Sequence, residues 1–102
     1  WGTGKPKREF LFVDDLARAC IHIMKLKKEK YDCFTRPMLS HINVGSGNEI
    51  SIGELAKLIK KVVGFEGKIN YDKSKPDGSP QKLMDSSLIN SLVQINVPQQ
   101  DQ

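Results

Sequence analysis

The chain has 102 residues, of which 38% are hydrophobic and 27% charged, with a formal net charge of +4. That length allows at most one domain, burying roughly two thirds of the surface its unfolded chain exposes, and the balance is that of an ordered, soluble chain rather than a disordered one. No apolar run approaches the roughly 20 residues that span a bilayer and no signal-peptide pattern opens the chain, so the expectation is a cytoplasmic protein without membrane contact.

The chain starts at Trp1 rather than Met, which reads as a piece of a longer protein. Cys20 and Cys33 form no Cys-x-x-Cys pair, and His22 and His41 stand at no ligand-like spacing to them, so neither a disulfide framework nor a metal site is expected. Most of the positive excess lies in Lys25, Lys27, Lys28 and Lys30 and in Lys57, Lys60 and Lys61, at the ends or polar faces of two predicted helices, where lysines are solvated and oppose the helix dipole. A nucleic-acid module would need such cations interleaved with outward aromatics, whereas Phe10, Phe12 and Tyr71 are expected to face inward.

In chain order, Trp1 to Lys7 supplies an aromatic, two glycines and cations. Arg8 follows at the entrance to a predicted strand over Phe10–Val13, whose nearly continuous apolar character suits a parallel sheet covered on both faces. A guanidinium held there matches the oxygens of a phosphate, so Arg8 is expected to face a bound anion. Asp14 or Asp15 is expected to cap the next helix. In it Leu16, Ala19, Cys20, Ile23 and Leu26 form an apolar stripe, which makes Cys20 a small core residue and His22 a surface one. Residues 29 to 40 read as a loop ending near Pro37.

Ser40 to Val44 alternates as a second strand and Gly45-Ser-Gly47 stops it. That Gly-x-Gly has Ile50 where a dinucleotide fingerprint carries its third glycine, so it reads as a turn into a helix rather than a cofactor loop. Ser51-Ile-Gly-Glu54 has the spacing of a capping box, Ile52, Leu55, Ile59 and Val62 follow at helical spacing, and Gly64 supplies a left-handed stop. Lys68 to Asp72 alternates as a third strand. The expected fold is therefore α/β, with short parallel strands alternating with helices as βαβαβ and right-handed crossovers.

Ser74 to Lys82 is a polar loop punctuated by Pro76, Gly78 and Pro80, expected beyond the carboxyl end of the third strand, where open parallel sheets bind ligands. It places Asp77 and Lys82 there. Tyr71 and Lys75 have the Tyr-x-x-x-Lys spacing of a short-chain dehydrogenase dyad, but Pro76 disfavours a helix at Lys75, so the pair is not read as catalytic. A short helix capped by Asp85 or Ser86 is expected between Leu83 and Leu92, and residues 93–102 are expected to fray.

Three separated segments carry a resemblance: Trp-Gly-Thr-Gly-Lys-Pro-Lys-Arg-Glu-Phe-Leu-Phe-Val-Asp-Asp-Leu-Ala, then Pro-Met-Leu-Ser-His-Ile-Asn-Val-Gly-Ser-Gly, then Ser-Lys-Pro-Asp-Gly-Ser-Pro-Gln-Lys-Leu-Met-Asp. From Trp1 to about Asp85 the chain resembles the carboxyl-terminal substrate domain of bacterial GDP-4-keto-6-deoxy-D-mannose epimerase/reductases, members of the extended short-chain dehydrogenase/reductase family. The resemblance implies a parent enzyme that epimerises C3 and C5 of the keto sugar and reduces its C4 ketone with hydride from NADPH, giving GDP-L-fucose. It implies that the catalytic groups and the NADP(H) site lie in an amino-terminal Rossmann domain absent from this chain, so that no catalytic or cofactor-binding residue is expected here. Residues 1–92 would be the nucleotide-sugar domain, with 93–102 a tail that departs from the family pattern and implies a truncation or change of frame. A homodimer is expected for the full-length enzyme. By the matching motifs, Trp1, Arg8, Asp77 and Lys82 fall on substrate-contacting positions: Arg8 and Lys82 for the diphosphate, Trp1 packing on the nucleotide-sugar, and Asp77 accepting from guanine or ribose. A sister enzyme, such as a GDP-mannose dehydratase or a UDP-sugar epimerase, would share the Arg8 segment but prefer a different base or sugar, and comparing GDP with UDP separates those that differ in base.

Overall fold

The computed structural model describes residues 1–92; the expected tail at 93–102 lies outside the described residues. They divide into two compact units, one made of Trp1–Phe10 and Gly47–Leu83, the other of Leu11–Ser46 and 84–92. No helix among the described residues is long and apolar enough to cross a membrane.

The first unit is built on a three-stranded sheet, β1 (Lys7–Glu9), β2 (Glu49–Ser51) and β3 (Gln81–Lys82), in the order β2-β1-β3. β1 pairs with β2 antiparallel, Arg8 opposite Ile50, and with β3 parallel, Arg8 opposite Lys82. This corrects the expected all-parallel βαβαβ. The antiparallel partner is a tripeptide that ends on the capping-box serine, too short to show a period. The predicted strand at Phe10–Val13 is displaced onto Lys7–Glu9. Phe12 instead becomes the extended N-cap of a helix, and Phe10 and Phe12 are exposed. Neither Ser40 to Val44 nor Lys68 to Asp72 forms a ladder. Their side-chain alternation survives in part, Ile42, Val44 and Ile69 being half-buried while His41, Asn43 and Asn70 are exposed.

Helix α3 (Ile52–Val63) follows β2 directly and forms as its end signals predict. Ser51 Oγ accepts from the Glu54 N–H at 3.2 Å and Glu54 Oε2 accepts from the Ser51 N–H at 3.1 Å, closing the capping box. Gly64 stops the helix at φ 71°, its N–H donated to the Lys60 and Lys61 carbonyls. Of the expected apolar stripe only Leu55 is half-buried; Ile52, Ile59 and Val62 are exposed.

The first unit packs most tightly around its opening segment. Gly2, Gly4 and Pro6 are buried and Trp1, Thr3, Lys5 and Lys7 exposed, along a segment that turns at Gly2 and Thr3 with φ of +75° at both Gly2 and Gly4. A Cβ at position 4 would overlap the Tyr71 ring, and the Gly4 carbonyl accepts from the Gly53 N–H at 2.8 Å.

The second unit holds α1 (Val13–Lys25), α2 (Lys28–Phe34) and α4 (Ser87–Leu92), with Ala19, Ile89 and Leu92 buried. Asp14 and Asp15 do not cap α1 with a side chain; they stand in its first turn, where a carboxylate favours the helix through the dipole. α2 replaces the loop expected from residue 29. Its seven residues contain no Gly or Pro, Lys28 and Asp32 form an i,i+4 ion pair at 2.6 Å, and the Thr35 hydroxyl bonds the Tyr31 carbonyl at 2.9 Å. Cys20 is exposed rather than a core residue. It borders an open cleft of about 280 Å³ with Ala19, Ile23, Tyr31, Ser40, Ile42 and Val44. His22 is half-buried rather than a surface residue, because it lies three positions after the buried Ala19 on the same flank of α1. Asp85 caps the start of α4, its Oδ1 accepting from the Ser87 N–H at 3.0 Å.

Candidate functional site

All four residues singled out from the sequence fall in the first unit. Side chains alternate across a strand and line up between neighbours in register, which sorts the sheet into two faces. One carries Lys7, Glu9, Glu49, Ser51 and Gln81, and it is internally compensated. Gln81 Nε2 donates to both Glu49 oxygens at 2.8 and 2.7 Å, Lys7 Nζ stands 3.9 Å from Glu49, and Glu9 accepts from the Gly47 N–H at 2.9 Å. The other carries Arg8, Ile50 and Lys82. It holds two cations in register and no carboxylate, and neither cation makes an ion pair among the described residues.

Arg8 is half-buried and anchored by backbone. Its Nη1 donates to the Lys7 carbonyl at 2.6 Å and to the Ser79 carbonyl at 2.7 Å. These bonds leave the charge uncancelled while fixing where the guanidinium lies. Gly78 makes room for it, since a Cβ there would stand 2.8 Å from Nη2. Gln81 bridges from β3 past β1 to Glu49 on β2, which holds a two-residue strand, and with it Lys82, in register.

Asp77 turns to the opening segment instead. Its Oδ1 accepts from the Thr3 N–H at 2.8 Å and its Oδ2 from the Thr3 hydroxyl at 2.7 Å. The Thr3 backbone bond, then the hydroxyl bond, holds the Asp77 carboxyl below the usual aspartate range, with a smaller contribution from Lys5. Gly2 permits this approach: its φ is +75° and a Cβ there would overlap Asp77 Oδ1. Asp77 also lines a hollow of about 130 Å³ with Lys5, Pro6, Gly78 and Pro80. Trp1 is 80% exposed, and Lys75 Nζ stands 5.4 Å from its ring centroid, within cation–π range.

The unit therefore sets Asp77 against Gly2, Arg8 beside Gly78, and Arg8 opposite Lys82 through the sheet. Sequence reasoning missed Thr3 and Lys5. No local period marks them: Thr3 lies in the turn at Gly2 and Thr3 and meets Asp77 from 74 residues away. Tyr71 and Lys75 do not act as a dyad: Tyr71 packs on Gly4 and Gly53, whereas Lys75 lies over Trp1.

A dinucleotide cradle would need free N–H groups at a helix start. Here the first three of α3 are taken, Ile52 by the Pro6 carbonyl at 3.0 Å, Gly53 by the Gly4 carbonyl, and Glu54 by Ser51 Oγ. The Gly47 N–H already serves Glu9. The start of α3 therefore holds none of these N–H groups free for a dinucleotide's phosphates.

Residues 1–45 match the model of the NAD dependent epimerase/dehydratase family. The chain is 54% identical over 92 residues to the GDP-L-fucose synthase of Escherichia coli K12, a match that covers 90% of this chain and 29% of that protein. Among solved structures it is similar to the Campylobacter jejuni GDP-mannoheptose C4 reductase with NADP bound, at 40% identity and a TM-score of 0.72, covering 90% of this chain and 27% of that one. It is similar also to a Campylobacter jejuni GDP-D-glycero-L-gluco-heptose synthase solved in the presence of NADPH, at 38% identity and a TM-score of 0.75, covering 90% and 26%. The chain thus spans less than a third of the length of these relatives.

Proposed function

We propose that this chain is the nucleotide-reading part of a GDP-L-fucose synthase, the segment that holds the GDP end of GDP-4-dehydro-6-deoxy-D-mannose while the rest of the enzyme epimerises C3 and C5 and reduces C4 with NADPH. The observation that carries the reading is the register pair of Arg8 and Lys82 on a sheet face that contains no carboxylate. Like charges directly opposite each other on a sheet are unfavourable, and a diphosphate between them converts that cost into attraction. Arg8 presents a fixed guanidinium to it and Lys82 a mobile ammonium. The exposed Trp1 ring offers a stacking surface for base or sugar, and Asp77 two acceptor oxygens for base or ribose.

The names of the relatives support GDP rather than one particular sugar: fucose, mannoheptose and gluco-heptose differ among them, while GDP recurs. A segment shared by all three is suited to the constant part of the substrate. Holding that remote part fixes the keto sugar in reacting geometry, which can supply several kcal/mol to the chemistry. The hydride comes from NADP(H) bound by an amino-terminal Rossmann domain, the partner this reading requires; the complete enzyme works as a cytoplasmic homodimer, and no step of the chemistry runs through residues 1–92.

A segment exchange tests the reading. The 92 matched residues of the Escherichia coli enzyme are replaced by residues 1–92 of this chain, and NADPH oxidation is followed with the GDP-linked keto sugar. Turnover with the KM of the host within about tenfold is expected, with KM raised by Arg8→Ala in the exchanged enzyme. A folded, NADPH-binding exchanged enzyme that ignores the GDP-sugar, or prefers a UDP-sugar, overturns it.

A further inference from the structure

We infer that Thr3 is a positioning residue of the nucleotide site, acting through Asp77 to set which donors the carboxylate accepts; this rests on the GDP-binding reading above. Thr3 gives Asp77 two donors from one residue, the N–H at 2.8 Å to Oδ1 and the hydroxyl at 2.7 Å to Oδ2. The hydroxyl is itself oriented, because Thr3 Oγ1 accepts from the Lys5 N–H at 3.3 Å and so keeps its own hydrogen for Asp77. Gly2 removes the side chain that would otherwise overlap Oδ1. The carboxylate is thus locked in plane by groups 74 residues away in sequence.

Each carboxylate oxygen has two acceptor positions. Thr3 occupies one on each, leaving one on each for two donors lying side by side. The N1–H and exocyclic N2–H of guanine are such a pair, whereas hypoxanthine offers only the first and uracil lacks the arrangement. Without the Thr3 hydroxyl, Oδ2 is freed and the plane can turn, so Asp77 stays near the base but no longer distinguishes two donors from one. Thr3 acts on base selectivity, and Arg8 and Lys82 on the diphosphate that all nucleoside diphosphates share.

The test is calorimetric titration of GDP, IDP and UDP into the full 102-residue chain and into the exchanged enzyme, as wild type, Thr3→Val, Thr3→Ala and Thr3→Ser. The expected wild-type preference for GDP over IDP is about tenfold, the value of one hydrogen bond to a charged group. Thr3→Val and Thr3→Ala should bring that ratio close to one with IDP affinity nearly unchanged, and Thr3→Ser, which keeps both donors, should restore it. Equal losses for GDP and IDP in the variants, or a ratio that does not move, overturn the role of Thr3 while leaving the GDP site standing. No GDP binding by the wild type in either context overturns the proposed function, and this inference with it.

Discussion

Arg8 on β1 and Lys82 on β3 stand opposite each other in parallel register, two cations on one sheet face with only Ile50 beside them. Such a pair works against the empty protein and toward an anion. Lys82→Ala should therefore leave the urea midpoint unchanged or raise stability by about 0.2–1 kcal/mol, the range for cross-strand charge pairs, while weakening GDP binding about tenfold. Denaturation and calorimetry on the same preparation check both halves.

Arg8 carries a second duty, since its Nη1 donates to the carbonyls of Lys7 and Ser79 and ties residues 77–80 to β1. Lysine has the charge but not the fork. Arg8→Lys is expected to lose most of the GDP affinity, about five- to tenfold for a charge-assisted bond, and to broaden the amide signals of residues 77–80. An Arg8→Lys variant with wild-type affinity would mean that charge alone suffices.

Gly2 should tolerate no side chain. Its φ of +75° disfavours any L residue and its missing Cβ is the space Asp77 Oδ1 occupies. Gly2→Ala is expected to destabilise the first unit by about 1–3 kcal/mol and to break the Thr3 to Asp77 bonds. Thermal denaturation reports the first effect, and the Thr3 amide shift the second.

The capping box predicts a pH dependence. The Ser51 backbone N–H first, and its hydroxyl second, hold the Glu54 carboxyl below the usual glutamate range. A carboxyl whose folded pKa is depressed adds stability that is fully present above its unfolded pKa, near pH 4.3, and is lost as pH falls through the lower folded value. Helical signal from α3 should hold at pH 6 and decline below about pH 4. Ser51→Ala should cost about 1 kcal/mol at pH 7 and make that decline shallower.

What the sequence disclosed follows the range of the forces involved. α3 was legible because both its ends are made by residues three or four apart: Ser51 with Glu54, and Gly64 with Lys60 and Lys61. The sheet was not. β2 and β3 are three and two residues long, and their pairing with Lys7–Glu9 depends on residues at least 40 positions away that no local period encodes. Phe10–Val13 was misread because an apolar run suits a strand or the start of a helix equally, and Asp14 and Asp15 decide it for α1. α2 was missed because its support is the Lys28 to Asp32 pair rather than an apolar stripe. Arg8 was legible from its place before a predicted strand, Asp77 and Lys82 from the polar loop, and Trp1 from the resemblance, but nothing gave a sign of Thr3, whose contact exists only once Asp77 is folded against it.

The most direct measurement is an amide NMR titration of the isotopically labelled 102-residue chain with GDP, with UDP and an Arg8→Ala variant alongside. The proposed function predicts dispersed signals in which GDP shifts Arg8, Lys82 and residues 74–82, UDP shifts them less, and Arg8→Ala abolishes the response. Dispersed signals indifferent to GDP, or moved equally by UDP, would contradict a GDP-reading site on the Arg8 and Lys82 face.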